Sequence, residues 1–265
     1  MPALPRPALP ALSLAAAAAA AALAPAPEAA AFEVPRAGLT VTLTPAVTSD
    51  YLFRGISQTR NTWAVQGTLD VEHASGLYVG AFLSSAKFLA DPWNDTRQEL
   101  DLLAGYRFTL AGVKLDLGYI AYLYPGQSKA PGGQRNEYQE VMLRATREAG
   151  IAKLSAALAY SPNFFGRSGN ALYLEGGVDV SLPLEVTVFG RLGHQWIERN
   201  AAFGTPDYLW YGIGLQREIV LGLTASVGWY GTDIRRRDCA PVALRAEGGQ
   251  RLCDGRVVFT LSRTF

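Results

Sequence analysis

Acidic and basic side chains that share one parity along short alternating segments can do one kind of chemistry without any pocket: they line a water-filled passage and set its field. Asp70, Glu99, Asp101, Asp116, Glu140, Glu175, Asp179 and Glu185 fall on polar faces of this kind, and so do Arg107, Lys114, Arg144, Lys153, Arg191 and Arg256. The acidic excess is slight, which predicts a narrow lumen with a mild preference for cations. The same groups, paired across a small barrel, would instead close it and leave a structural or adhesive barrel. Asp50 and Arg54 also share parity and stand four apart at the end of a segment. They are expected at the rim, as an ion pair that fixes the following loop or as a filter at the mouth, with Gly55 letting the chain turn.

Catalysis finds fewer candidates. There is no Gly-x-Ser-x-Gly, and of the two histidines His73 falls in a short turn while His194 lies near a strand end on its apolar parity. A lipid-facing base at His194 would need a nucleophile and an orienting partner that the sequence does not identify, so a lipid-modifying enzyme is the lesser alternative and the expectation is no enzyme. Cys239 and Cys253 lie close together near the end of the chain and behind a secretory signal, which predicts a disulfide. Too few further ligands accompany them for a metal site, and no cofactor is expected. Arg235-Arg236-Arg237, in the same stretch, reads as a solvated charge run, with contact to anionic lipopolysaccharide as the alternative. A formal net charge of +1 with scattered basic residues leaves no footprint for nucleic acid.

The elements that must position these groups are strands. From Leu39 onward the chain divides into about a dozen alternating segments of the length a tilted transmembrane strand needs. They run Leu39 to Phe53, Trp63 to Glu72, Leu77 to Lys87, Gln98 to Phe108, Val113 to Leu123, Tyr138 to Thr146, Ile151 to Ser161, Ala171 to Leu182, Leu184 to Gln195, Tyr208 to Glu218, Leu221 to Thr232 and Arg256 to Phe265. Connections alternate strictly between tight and long. Short ones such as His73-Ala74-Ser75-Gly76, Pro183 and Ile219-Val220 suit hairpins, whereas the others are long and polar, including those around Arg60, Asp91-Pro92-Trp93-Asn94, Pro125 to Arg135 and Asp233 to Asp254. Short periplasmic turns and long external loops are the rhythm of an outer-membrane barrel. A soluble sandwich also alternates its faces but has no reason for that rhythm.

Both ends of the chain agree with this. The run from Leu12 to Ala24 is almost wholly Ala and Leu behind Arg6, the pattern of a signal peptide, too short to span a membrane as a helix. Residues 1–31 are expected to be cleaved, leaving 32–265 as one barrel domain. Beyond that run no apolar stretch approaches the roughly eighteen residues a spanning helix needs, so only a closed barrel could cross. The last segment puts Val257, Phe259 and Leu261 on one face and closes on Phe265, an aromatic end expected to serve as a signal to the barrel insertion machinery. Tyr51, Phe53, Trp63, Tyr106, Tyr119, Trp229 and Phe265 are expected as aromatics at the lipid interface.

Residues Thr48-Ser49-Asp50-Tyr51-Leu52-Phe53-Arg54-Gly55-Ile56-Ser57-Gln58-Thr59, followed by Ala64-Val65-Gln66-Gly67, resemble the amino-terminal signature of the TorF family of porin-type proteins, also known as Gcw_chp. Further echoes occur at Gly76-Leu77-Tyr78-Val79-Gly80, Glu99-Leu100-Asp101, Gly118-Tyr119, Tyr122-Leu123-Tyr124-Pro125-Gly126, Ser161-Pro162 with Phe165-Gly166, and Tyr173-Leu174-Glu175, so the resemblance covers essentially the whole of 32–265. It implies an all-β, transmembrane antiparallel barrel of about twelve strands in the outer membrane of a Gram-negative bacterium. A channel of this kind would meet lipid, lipopolysaccharide and small solutes or ions.

Overall fold

The computed structural model describes residues 31–88, 96–127, 136–240 and 248–265. Residues 1–30 of the expected signal segment, the loop positions Asp91 to Asn94 and 128–135, and residues 241–247 of the last long connection lie outside the described residues. The strands are β1 (Phe32–Val34), β2 (Leu39–Thr48), β3 (Leu52–Phe53), β4 (Ile56–Ser57), β5 (Ala64–His73), β6 (Leu77–Ser85), β7 (Gln98–Leu110) and β8 (Val113–Leu123). They continue with β9 (Tyr138–Ala149), β10 (Ala152–Ser161), β11 (Ala171–Leu182), β12 (Val186–Ile197), β13 (Tyr208–Glu218), β14 (Leu223–Thr232) and β15 (Arg256–Arg263).

Each strand from β5 to β15 pairs antiparallel with the next, and β2 closes the ring by pairing with β5 on one side and β15 on the other. The result is a closed barrel of twelve strands. Closure gives each of the twelve wall strands a neighbour on both sides, which is what lets strands cross hydrocarbon without an open sheet edge. Short β1 pairs with the start of β2, and the seam between β2 and β15 is brief, with three residue pairs in register at Ala46 to Thr48. Leu43 and Phe265 extend it by exchanging backbone hydrogen bonds of 3.0 and 2.9 Å.

The two faces separate as the alternation predicts. In β8, Asp116, Gly118, Ile120 and Tyr122 are buried inside the barrel while Leu117 and Tyr119 are exposed outside. Large apolar side chains exposed on the outer face, among them Leu43, Val65, Leu143, Leu174, Ile213 and Phe259, form a surface that only lipid would cover. Trp63, Tyr106, Tyr119, Trp229 and Phe265 are exposed with them. Glycines on the inner wall make room for rings: a Cβ at Gly105 or at Gly118 would meet the Tyr78 hydroxyl at 2.6 Å, so Tyr78 lies flat over both.

Three local expectations are corrected. The first segment stops at Thr48 instead of reaching Phe53, because the chain leaves the wall there and folds inward as the hairpin β3–β4. One tight turn is made by Leu221 and Gly222, at φ of +58° and +71°, rather than by Ile219-Val220, so β14 begins at Leu223. Glu185 stands in the turn before β12, at φ +59°, and not on an inward strand face.

Candidate functional site

The inward hairpin is made by its own sequence. Arg54 and Gly55, at φ of +47° and +82°, form the two-residue loop between β3 and β4, the conformation that matches strand twist and that glycine favours. Gly55 is also needed for space: a Cβ there would meet Thr232 Cγ2 at 2.8 Å and Trp210 Cβ at 2.9 Å. The hairpin therefore presses against the wall at β13 and β14. Its base is fixed by Asp50, which accepts hydrogen bonds from Ser57 Oγ (2.6 Å), Thr59 Oγ1 (2.7 Å) and Arg256 Nη1 (2.6 Å).

Arg54 reaches into the interior. Its Nη1 and Nη2 donate to the two carboxylate oxygens of Glu140 at 2.9 and 2.7 Å, and Nη1 donates to Gln195 Oε1 at 2.5 Å. The guanidinium lies 3.8 Å from the centroid of the Tyr173 ring and 4.7 Å from that of Phe53. The hairpin enters beside β2 and β5, and Glu140 and Tyr173 belong to β9 and β11, on the far side of the ring of strands. It thus spans the lumen in the half nearer the long connections.

The expected Asp50–Arg54 rim pair is therefore corrected. Each carboxylate and guanidinium has a better partner, Arg256 for Asp50 and Glu140 for Arg54, because the turn at Arg54-Gly55 carries Arg54 away from its neighbour. Tyr51 and Phe53 are corrected for the same reason. Tyr51 is 1% exposed and donates its hydroxyl to Glu99 inside the barrel, while Phe53 packs edge-on to Tyr122 at 5.8 Å between centroids.

Below the hairpin, two further clusters cross the interior. Arg107 binds Asp70 (2.8 Å), Glu72 (2.5 Å) and Asp116 (3.7 Å) and sits 3.8 Å from the Tyr78 ring centroid. Arg191 binds Asp179 at 2.6 Å, and Lys153 approaches the same carboxylate at 3.4 Å. Lys114, Arg144 and Glu175 are half-buried on the inward faces of β8, β9 and β11. Glu99 and Asp101 are buried with no ion pair among the described residues, and Asp101 Oδ1 has no hydrogen-bond partner. Apart from Lys114, Arg144, Glu175 and the Asp50–Arg256 pair, these inward charges collect into three arginine-centred nodes and one acidic pair.

Above the hairpin lies a mouth cavity of about 140 Å³, lined chiefly by rings, among them Phe53, Phe88, Tyr124, Tyr138, Phe164 and Tyr208. Its wall includes Cys239 and Cys253, which form a disulfide. Of the neighbouring arginines, Arg236 pairs with Asp254 at 2.8 Å and Arg237 with Asp238 at 3.6 Å, both exposed. His194 faces outward against Trp196, with ring centroids 4.1 Å apart, and its Nδ1 has no hydrogen-bond partner. His73, at the end of β5, shares a hydrogen bond of 2.8 Å with Ser75 Oγ.

Sequence reasoning passed over Gln195, Tyr173 and Tyr122, the remaining walls around Arg54. In the sequence Gln195 closes its alternating segment, and its parity matches Arg191. A polar residue on the inward face beside aromatics was the available signal.

Among solved structures, the NanC porin is 8% identical to this chain, with a TM-score of 0.52, and the match covers 84% of this chain and 98% of that one. The outer membrane channel DcaP of Acinetobacter baumannii is 10% identical with a TM-score of 0.44, covering 87% and 98%. The first is a likeness of fold, and it agrees with the closed barrel and its apolar exterior, the architecture of outer-membrane proteins. No curated protein matches the chain. Over residues 33–265 the sequence matches the model described as "Bacterial protein of unknown function (Gcw_chp)", and the chain belongs to that family.

Proposed function

We infer that this barrel is an outer-membrane channel for ions or small solutes, narrowed by the β3–β4 hairpin and carrying a mild preference for cations. The observation behind the preference is the pair Glu99 and Asp101, inward carboxylates with no ion pair among the described residues, whereas Arg54, Arg107 and Arg191 are each held by carboxylates. A cation passing the hairpin meets these carboxylates, whereas the inward basic groups Lys114 and Arg144, with no ion pair among the described residues, stand on β8 and β9 below it. On this reading the apolar exterior contacts lipid, Phe265 follows β15 as the end of the segment presented to the insertion machinery, and residues 1–31 are removed on export. A lipid-modifying enzyme is less well supported, since among the described residues nothing hydrogen-bonds the Nδ1 of the outward His194 to orient its ring.

One observation favours a second reading. Arg54, Glu140, Asp70 and Gln195 are almost wholly inaccessible, at 8, 2, 2 and 0% exposed, as in a lumen filled by its own side chains. Such a barrel would be structural or adhesive. The deciding experiment is conductance of refolded residues 32–265 in a planar bilayer under a salt gradient, after the folded barrel is confirmed by its heat-modifiable migration. Discrete small steps with a reversal potential of cation-selective sign are expected. An anion-selective sign would remove the preference, and a folded but silent barrel would select the second reading.

A further inference from the structure

A guanidinium group offers five N–H donors around its edge and a planar face attracted to aromatic rings. The wall of this barrel meets those needs at one place, with residues that do not belong to the hairpin. Glu140 on β9 presents both oxygens to the fork, and Tyr122 on β8 steadies it by donating to Oε2 at 3.1 Å. Gln195 on β12 gives its own amide protons to the carbonyls of Leu172 and Trp196, each at 3.1 Å. Its Oε1 is therefore turned inward whether or not a donor is there. Tyr173 on β11 supplies the ring face, and its hydroxyl is fixed by Trp210 Nε1 at 2.7 Å and by Glu175. Four strands and their supporting bonds thus hold the cage independently of its occupant.

We propose that this cage is a guanidinium-binding site of the barrel wall, filled in the resting molecule by the tethered Arg54, and that solutes carrying a guanidinium group bind there by displacing it. The inference deepens the channel reading and rests on it only for the word solute; the binding site stands or falls alone. An ammonium group would fit poorly, because a compact point charge does not reproduce the planar fork on Glu140 together with the third bond to Gln195. Displacement need not unfold the hairpin, whose base is held by the separate contacts of Asp50. A tethered group competes at an effective concentration of about millimolar or more, so a free solute must reach that range to enter the wild-type cage.

The test compares wild type, Arg54→Ala and the double variant Arg54→Ala/Glu140→Gln, all refolded as barrels, titrated with methylguanidinium chloride against sodium chloride at equal ionic strength. The readout is the temperature at which the heat-modifiable band converts. Arg54→Ala is expected to be stabilised by methylguanidinium at concentrations about tenfold or more below those that act on wild type. The double variant is expected not to respond. Equal responses from Arg54→Ala and wild type would overturn the proposal, as would methylammonium acting as well as methylguanidinium. Should Arg54→Ala fail to refold alone, methylguanidinium in the refolding buffer is expected to restore the band, and its failure to do so counts against the site. Bilayer recording of the same samples separates the two readings. Binding without conductance sinks the channel and leaves the site, whereas conductance without a methylguanidinium response sinks the site and leaves the channel.

Discussion

Arg107 shows what a buried guanidinium does in this interior. Three carboxylates, Asp70, Glu72 and Asp116, converge on it, and its face covers Tyr78. Removing the cation would leave like charges together and desolvated, so Arg107→Ala is expected to cost about 3–5 kcal/mol of barrel stability, read from urea-dependent refolding. Arg107→Lys, which keeps the charge and loses the fork, should cost less. Outside the spans, Glu198 accepts from the backbone N–H of Asn170 at 2.8 Å and from its side-chain amide at 2.6 Å, and those bonds hold its carboxyl below the usual value of 4.5. A depressed carboxylate contributes stability that is present above its unfolded pKa and is lost as pH falls through the folded one. Glu198→Gln should therefore lower the melting temperature slightly at pH 7 and make no difference once the solution is well below pH 4.5. The inward charges were legible in the sequence because parity assigns a face. Their partners were not, since Arg54 and Glu140 are brought together by a turn whose direction parity does not encode.

Most strands could be read from the sequence to within a few residues, because lipid on one face and packed polar groups on the other impose a strict period of two. Errors gathered where the backbone departs from the wall. Arg54-Gly55 and Leu221-Gly222 are both two-residue loops ending in Gly, and only the second falls in a connection that the tight-and-long rhythm had already marked as short. The seam is another irregular place. β2 meets β15 through three residue pairs, against twelve between β11 and β12, and Pro45, opposite Arg263 in that register, has no N–H to give. Hydrogen exchange should accordingly be faster at Val47 and Leu261 than at Leu174 and Leu192, measured on the folded barrel in detergent. The disulfide acts on a loop of sequence separation 14, for which chain entropy gives about 3 kcal/mol. Replacing both Cys239 and Cys253 by Ser should lower stability by about that amount, with the barrel still formed because the bond lies outside the ring of strands.

The molecule as a whole is an apolar cylinder whose interior is divided by charge. Two arginine-centred nodes, at Arg107 and Arg191, occupy the half near the short turns, and the hairpin with Arg54 crosses the other half. If the pair Glu99 and Asp101 sets ion preference, then Glu99→Gln/Asp101→Asn should move the reversal potential toward zero or past it while single-channel steps persist. A potential unchanged in sign and size would assign the preference elsewhere. The barrel and its outer-membrane character could be inferred from the sequence at this scale, whereas the pairing inside it could not, because composition counts inward charges without saying which of them meet.

The hairpin also carries a consequence in time. Arg54 lies near the start of the barrel, yet its partners Glu140 and Gln195 stand 86 and 141 residues further along. No early pairing of neighbouring strands can satisfy it, and every strand through β12 must be in place before its last bond forms. The contact is therefore a clock of assembly: a probe on Arg54 would fall silent only when most of the wall has been built, and the order in which its bonds appear would record the order in which the strands arrive.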